Sequence, residues 1–417
     1  MSGKNHFSRL YEELDRLYPF TEYFHLSLSH TVDKLEQLAS LEVHRSGTAK
    51  VVLVPKDSRG PRLISCEPLE YQWIQQGLQR KLYSLIESNK LTAGYVNFTD
   101  QSVNRRLALE SSRTGRWVTL DMKDASDRVS VALVSELFAL QPLWLECLLA
   151  SRSSATKLPD GTVITLSKFA PMGSAVCFPV EALCFWALSV AVLMVHNGQR
   201  FQEARKRVYV YGDDIICRAE DYRSIMQFLP QYGLMFNIDK CCVAGFFRES
   251  CGCDAYKGID VTPIRLRTTW SHRKTPESLM SYVELHNSMY RLGYSRTCSY
   301  LRNLVEDLYG PLPDVAYTRD KRKCSSQEYY SRPGRVIGWF RPDINPITQN
   351  ALRRMKTRFC RNLHRHEVFG YSVTPVHASG PVDGWESVLR TLTCGSTGLS
   401  PGVYAVAHRS RLQRTWG

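Results

Sequence analysis

The chain has 417 residues, 43% hydrophobic and 11% aromatic, which excludes a disordered or fibrous protein and allows two or three domains' worth of core. Its formal net charge of +14 and pI of about 9.2 point to a polyanionic partner. Residues 261–417 hold 24 Lys and Arg against 11 Asp and Glu, so nearly all of the excess lies in the last third.

Residues 1–49 read as helical, with charged and apolar positions interleaved ("FSRLYEELDRLY", "TVDKLEQLASLEVH"). The polar start and the 13 scattered cysteines predict no secretory leader and reduced thiols in a cytosol. Next, "AKVVLVPKDSRGPRLISCEP" predicts a strand (Val51 to Val54), a basic turn around Gly60 and a second strand (Arg62 to Ser65). "YQWIQQGLQRKLYSLIES" has helical spacing, and "RWVTLD" is a short strand ending in Asp121. After a flexible turn at Gly173 and Ser174, Ala182 to Val195 is apolar throughout. Its fourteen residues fit a buried core helix better than a bilayer span, so no membrane is expected. Then "RVYVYGDDIICRAE" reads as a β-hairpin: Val208 to Tyr211, a turn at Gly212, and Ile215 to Cys217. Cys241, Cys242, Cys251 and Cys253 lack the C-x2-C spacing of zinc sites and read as ordinary thiols. From about Thr262 the composition turns basic, broken by Pro311, Pro313, Pro333, Pro342 and Pro346.

The hairpin tip raises a question, because Asp213 and Asp214 are like charges side by side. They make sense if they hold divalent cations, and magnesium prefers a few carboxylates plus substrate phosphate oxygens. A third carboxylate should then end another strand, and Asp121 does. If the three converge around one cavity, they could hold two metal ions roughly 3.5–4 Å apart. For either segment alone, a solvated turn or a helix-capping Asp explains the residues equally well.

The ordered set decides between these readings. A basic strand-turn-strand, a strand ending in Asp, a Gly-Ser turn into a helix, Gly-Asp-Asp and a lysine follow one another. This order resembles the palm of viral RNA-dependent RNA polymerases, and in detail the replicase of the levivirus group of positive-strand RNA bacteriophages. The matching stretches are "VPKDSRGPRLISCEPLEYQWIQQGL", "FTDQSVNRRLAL", "TLDMKDASDRVS", "FAPMGSAVCFPVEAL", "VYVYGDDII", "GLMFNIDKCC" and "FRESCGCDAYKGIDVTPIRLR", over about residues 50–267.

The resemblance implies an α+β right-hand polymerase, with an antiparallel palm sheet flanked by helices. It implies fingers over 1–110, shortened at the N-terminus, palm over 111–135 and 169–267, a fingers insertion at 136–168, and a basic thumb over 268–417. Asp121, Asp213 and Asp214 become ligands of two Mg²⁺ ions, with Mn²⁺ as an alternative. Lys240 becomes a general acid for departing pyrophosphate. Lys56, Arg59 and Arg62 line the nucleotide's approach. Asp127, directly or through Ser174 beside Gly173, reads the ribose hydroxyl, whereas Asp124 is a solvated helix residue. Tyr256 and Trp270 are expected in the core, and "ALRRMKTRFCRNLHRH" on the RNA track. Partners would be template and nascent RNA, ribonucleoside triphosphates and host translation elongation factors Tu and Ts, in the cytoplasm of an infected bacterium. Two rivals remain. A reverse transcriptase would carry Met or Ala where Gly212 stands, and a non-catalytic RNA-binding protein leaves the three aspartates unexplained.

Overall fold

The computed structural model describes residues 7, 9–24, 41–57, 60–266, 268–315, 336–340, 350, 352–376 and 409–416. These form two compact units, one up to Thr262 and the other from Pro263 onward.

The first unit begins with a parallel pair, β1 (Arg9–Tyr11) and β2 (Glu42–His44), where a helical stretch was expected. The charged-apolar interleaving there marks one-sided burial. Phe7, Tyr11, Leu14, Tyr18, Phe20 and Phe24 form a small core against Tyr71 and Ile74. Among the described residues here the helices are short, Glu12–Asp15 and Phe20–Tyr23, and most of the second expected helical run, residues 31–40, lies outside the described residues. The basic strand-turn-strand is an antiparallel pair, β3 (Thr48–Asp57) and β4 (Gly60–Cys66), longer than its apolar runs. Helices α1 (Leu69–Ser88) and α2 (Ser102–Thr114) follow, then β5 (Trp117–Asp121). Strands β6 (Ala155–Lys157) and β7 (Val163–Thr165) extend the first sheet in the order β4-β3-β6-β7.

The apolar run belongs to α3 (Cys177–Val195), a helix of 19 residues, so the expected argument from short length does not hold. By length and composition α3 could cross a membrane, yet most of it is buried in the core of this unit.

The hairpin is present as β8 (Val208–Tyr211) and β9 (Asp214–Arg218), and β5 pairs antiparallel along the other edge of β9, giving the order β5-β9-β8. Alternation along the strands sorts their side chains onto two faces. Val118, Leu120, Val208, Val210, Ile215 and Cys217 join α3 in the main core. Trp117, Tyr209 and Ile216 meet Leu107 of α2 on the other face. The expected α+β class, an antiparallel sheet flanked by helices, is what the chain forms.

Behind β5 lies a small antiparallel sheet, β10 (Phe247–Ser250), β11 (Cys253–Tyr256) and β12 (Ile259–Asp260). The buried Arg248 docks it: its Nε donates to Trp117 O at 3.0 Å and its Nη1 to three carbonyls, of Ala244, Gly245 and Phe247. A guanidinium has no acceptor of its own and is satisfied when buried only by such a ring of carbonyls. Tyr256 is not in the core as expected. It is 45% exposed, its ring edge-on to Phe246, with the Lys257 ammonium over both rings.

The second unit packs α4 (Pro276–Arg291) against α5 (Ser295–Tyr309). The Thr275 side chain caps α4 by accepting from the Ser278 N–H. Trp270 packs edge-on to Tyr282 (ring centroids 4.7 Å apart), as core packing requires. Short strands β13 (Asp314–Val315) and β14 (Trp339–Phe340) pair in parallel. Strands β15 (Thr357–Cys360), β16 (Arg365–Val376) and β17 (Arg409–Trp416) form an antiparallel sheet. The basic stretch "ALRRMKTRFCRNLHRH" supplies β15 and the start of β16, with Arg354, Arg361 and His364 exposed.

Candidate active site

Register builds the centre of the site. Along β5 and β9, Trp117 faces Arg218 and every pair follows until Asp121 stands directly opposite Asp214, at the end of both strands. Tyr211 of β8 is the partner of Asp214 on its other side, so Gly212 and Asp213 form the tip. Gly212 has φ +61°, and a Cβ there would overlap the Phe178 ring of α3. The turn and that close approach both demand glycine, which is why a Met or Ala at this position would not fit.

The chain after the hairpin returns along the free edge of β5. Lys123 N–H donates to Met235 O, Asn237 N–H to Asp121 O and Cys242 N–H to Thr119 O, each at 2.8 Å. This lays Lys240 beside the strand end, its Nζ 3.4 Å from Asp121 Oδ1. Asp121 is largely covered, at 15% exposure, whereas Lys240 is half-exposed.

Charge is concentrated here. Asp213 is open to solvent but crowded by protein. That crowding, then the Asp121 carboxylate, push its pKa above the ordinary aspartate range, against pulls from its own N–H, Lys240 and Arg62. Burial pushes Asp214 up to about 6, opposed by the Cys251 N–H and reinforced by Asp213. The Cys251 N–H donates to Asp214 Oδ2 at 2.8 Å. Asp121 and Asp213 are thus within electrostatic reach of one another, while Asp214 gives one oxygen to the β10–β11 turn. Glu181 of α3 joins from below. Burial, and then Asp213, push it up to about 8.

Among the described residues, no three acidic, His or Cys side chains are preassembled as a metal cage. The donor set still fits a hard divalent cation, because magnesium takes one or two carboxylates and completes its shell with water and phosphate oxygens.

Of the other expected residues, Arg62 and Gly173 lie on or against β4. Arg62 is exposed on β4, opposite Val54 in the strand pair, and within electrostatic reach of Asp213. Lys56 lies in β3, with its side chain outside the described part, and Arg59 is outside the described residues. Gly173, expected in a flexible turn, is tightly packed instead. Its φ is +121°, a Cβ would overlap Ser65 O, and Ser65 N–H donates to Met172 O at 2.8 Å. Ser174 Oγ donates to Gln75 Oε1 at 3.0 Å, as does the Ala175 N–H at 3.1 Å. Asp127 pairs with Lys168, Nζ to Oδ1 at 2.6 Å. Asp127 and Ser174 thus have separate partners in place of the expected relay. Asp124 is half-exposed and meets Arg128 at 3.8 Å, a surface pair.

The RNA replicase, beta-chain, family model matches residues 22–380. The chain belongs to the RNA replicase beta-chain family. The chain is 35% identical over 243 residues to the RNA-directed RNA polymerase subunit beta of Escherichia virus Qbeta, covering 58% of this chain and 38% of that protein. It is 33% identical over 217 residues to the RNA-directed RNA polymerase beta chain of Escherichia phage MS2, covering 52% and 37%. The aligned part thus spans under two fifths of these relatives. Among solved structures it is similar to the BmCPV RNA-dependent RNA polymerase at elongation state, with 12% identity, a TM-score of 0.43 and coverage of 62% of this chain and 26% of that one.

Four residues of the site carried no role in the sequence: Gln75, Lys168, Glu181 and Cys251. A buried amide in "YQWIQQGL" and a lone acid opening an apolar helix were the available signals. Lys168 and the Cys251 amide gave none, because their partners lie 41 and 37 residues away.

Proposed function

We propose that this chain carries the catalytic palm of an RNA-directed RNA polymerase that replicates a positive-strand RNA phage genome. The observation that carries this reading is the register pairing of Asp121 with Asp214, with Asp213 and Lys240 at the same strand end. The family membership and the relatives' printed names support it.

Asp121 and Asp213 would hold two Mg²⁺ ions, or Mn²⁺, with Asp214 as the adjoining carboxylate. When bound, such ions activate the attacking 3′-hydroxyl and stabilise the departing pyrophosphate. The chain's own groups do the rest. Arg62, with Lys56 and Arg59 of the same hairpin, would neutralise the triphosphate as it approaches. Lys240, held beside Asp121, would deliver a proton to the pyrophosphate. Asp127 would accept a hydrogen bond from the 2′-hydroxyl, so a deoxynucleotide leaves that acceptor unpaired. Gly173 and Ser174 would shape the floor under the sugar.

In this reading residues 111–135 and 169–267 are palm, 1–110 and 136–168 fingers, and 268–417 thumb. The basic last third would track template and nascent RNA. The relatives' designation as a beta subunit or beta chain supports a multi-subunit assembly, for which host elongation factors Tu and Ts are the candidate partners. The setting would be the cytoplasm of the infected bacterium.

Primer extension on an RNA template, with purified chain and ribonucleotides, tests the proposal. Extension that requires Mg²⁺ and is lost in Asp213→Asn supports it. Extension by Asp213→Asn at the wild-type rate overturns the two-metal reading, and equal use of ribo- and deoxynucleotides overturns the RNA-polymerase assignment.

A further inference from the structure

Resting on the polymerase reading, we infer that Lys168 is a positioning residue for ribose selection. It holds Asp127 through one carboxylate oxygen and leaves the other to meet the incoming sugar. Lys168 Nζ lies 2.6 Å from Asp127 Oδ1. With side-chain exposures of 26% and 51%, such a pair adds little to stability. The structure nevertheless invests heavily in placing it.

The loop that carries Lys168 is stitched to the segment after Asp127 from both sides. Val131 N–H donates to Ser167 O at 3.1 Å, and Phe169 N–H to Val129 O at 2.7 Å. From behind, the half-buried Arg152 clamps the same loop. Its Nε donates to Phe169 O at 2.7 Å, and its Nη2 to Leu166 O and Lys168 O at 3.0 and 3.1 Å. Burial lowers the Arg152 pKa, the mark of a guanidinium spent on structure.

Asp127 needs such a partner. The acidic groups near it, Glu181 and the buried Cys177, bring no positive charge. Arg128, next in sequence, turns to Asp124 and to Gly233 O. Ser174, through which Asp127 was expected to reach the ribose hydroxyl, donates to Gln75 instead. A carboxylate on one turn of helix, unanchored, would sample several rotamers, and hydrogen-bond discrimination requires a fixed acceptor. Lys168 supplies the anchor through a charge-assisted bond.

The experiment measures kcat/KM for a matched ribo- and deoxynucleotide pair on one RNA template. It uses the full chain as wild type, Lys168→Met and Lys168→Arg. Loss of one charge-assisted bond should lower the ribo-to-deoxy ratio about tenfold in Lys168→Met. The fall should come from ribonucleotide use, with deoxynucleotide use little changed, and Lys168→Arg should restore most of the ratio. Lys168→Gln, of similar length and polarity, repeats the measurement should Lys168→Met melt early. A ratio unchanged in both neutral variants overturns the inference, as does an equal fall for both sugars. A wild type that extends primers but ignores the sugar overturns it too. A wild type that incorporates neither nucleotide removes the polymerase reading itself, an outcome distinct from the others.

Discussion

The two sides of the site are built by different means. On the carboxylate side, backbone register does the placing: Asp121 and Asp214 face each other because four preceding residue pairs already do. On the side of Asp127, side chains do most of it. Asp127, Ser174 and Gly173 depend on Lys168, Gln75 and the Ser65 backbone, none of them adjacent in sequence. Strand pairing gives rigidity from the main chain itself, whereas the loop side can be retuned one side chain at a time.

That contrast is open to attack, most strongly through the carboxylates. Asp121→Asn and Asp213→Asn should leave the sheet intact and lower single-turnover extension by at least about 10³-fold, since a bound metal ion contributes several kcal/mol to the transition state. Unchanged far-ultraviolet circular dichroism with lost extension would locate the effect in chemistry. A fall of similar size from Ser174→Ala would erase the distinction between the two sides.

Lys240→Leu should be next, slowing the chemical step by about 10²-fold or more while nucleotide binding changes little. Pre-steady-state titration separates the two, and a pure binding defect would return Lys240 to the role of a neighbouring charge.

Glu181 lies under both sides, and its effect is on stability. Its pKa rises from the ordinary 4.5 to about 8 in the folded chain, chiefly through burial. Below 4.5 both states hold the proton and stability is full. Between 4.5 and about 8 only the folded state holds it, so stability falls with rising pH by up to about 1.4 kcal/mol per unit. Above about 8 the loss is complete. Glu181→Gln should flatten this decline, as urea unfolding at pH 5, 6.5 and 8 in metal-free buffer would reveal. Parallel curves for the two proteins would mean Glu181 ionises as freely folded as unfolded.

The smallest effect expected is at the hairpin tip. Gly212→Ala places a side chain at positive φ and against Phe178, and should destabilise by about 1–2 kcal/mol with a matching drop in melting temperature. Additional replacement of Phe178 by Ala should relieve the overlap but not the backbone term.

This division also explains what the sequence disclosed. Val208 to Tyr211, Ile215 to Cys217 and Trp117 to Leu120 announce strands by their own composition, and a strand end fixes where its last carboxylate must go. The α+β class and the Asp121–Asp213–Lys240 group were legible for that reason. Arg9–Tyr11 and Glu42–His44 were misread as helical because charged-apolar interleaving suits a one-sided strand pair as well as a helix. Tyr256 was misread because an aromatic in a strand has two faces to choose from. Asp127 was named in the sequence but its partner was not, since Lys168 and Asp127 are joined only by the folded loop.

Gly173 carries one more consequence. Its α-carbon sits where Ser65 leaves no room for a methyl group, and Met172 O takes the Ser65 N–H. β4 and the 172–174 turn are therefore tied into one mechanical body, like the fixed jaw of a caliper. A cation approaching on β4 cannot shift without carrying residues 172–174 along. A residue larger than glycine at 173 is thus tolerable only if the backbone of β4 at Ser65 retreats, whatever side chain stands at 65.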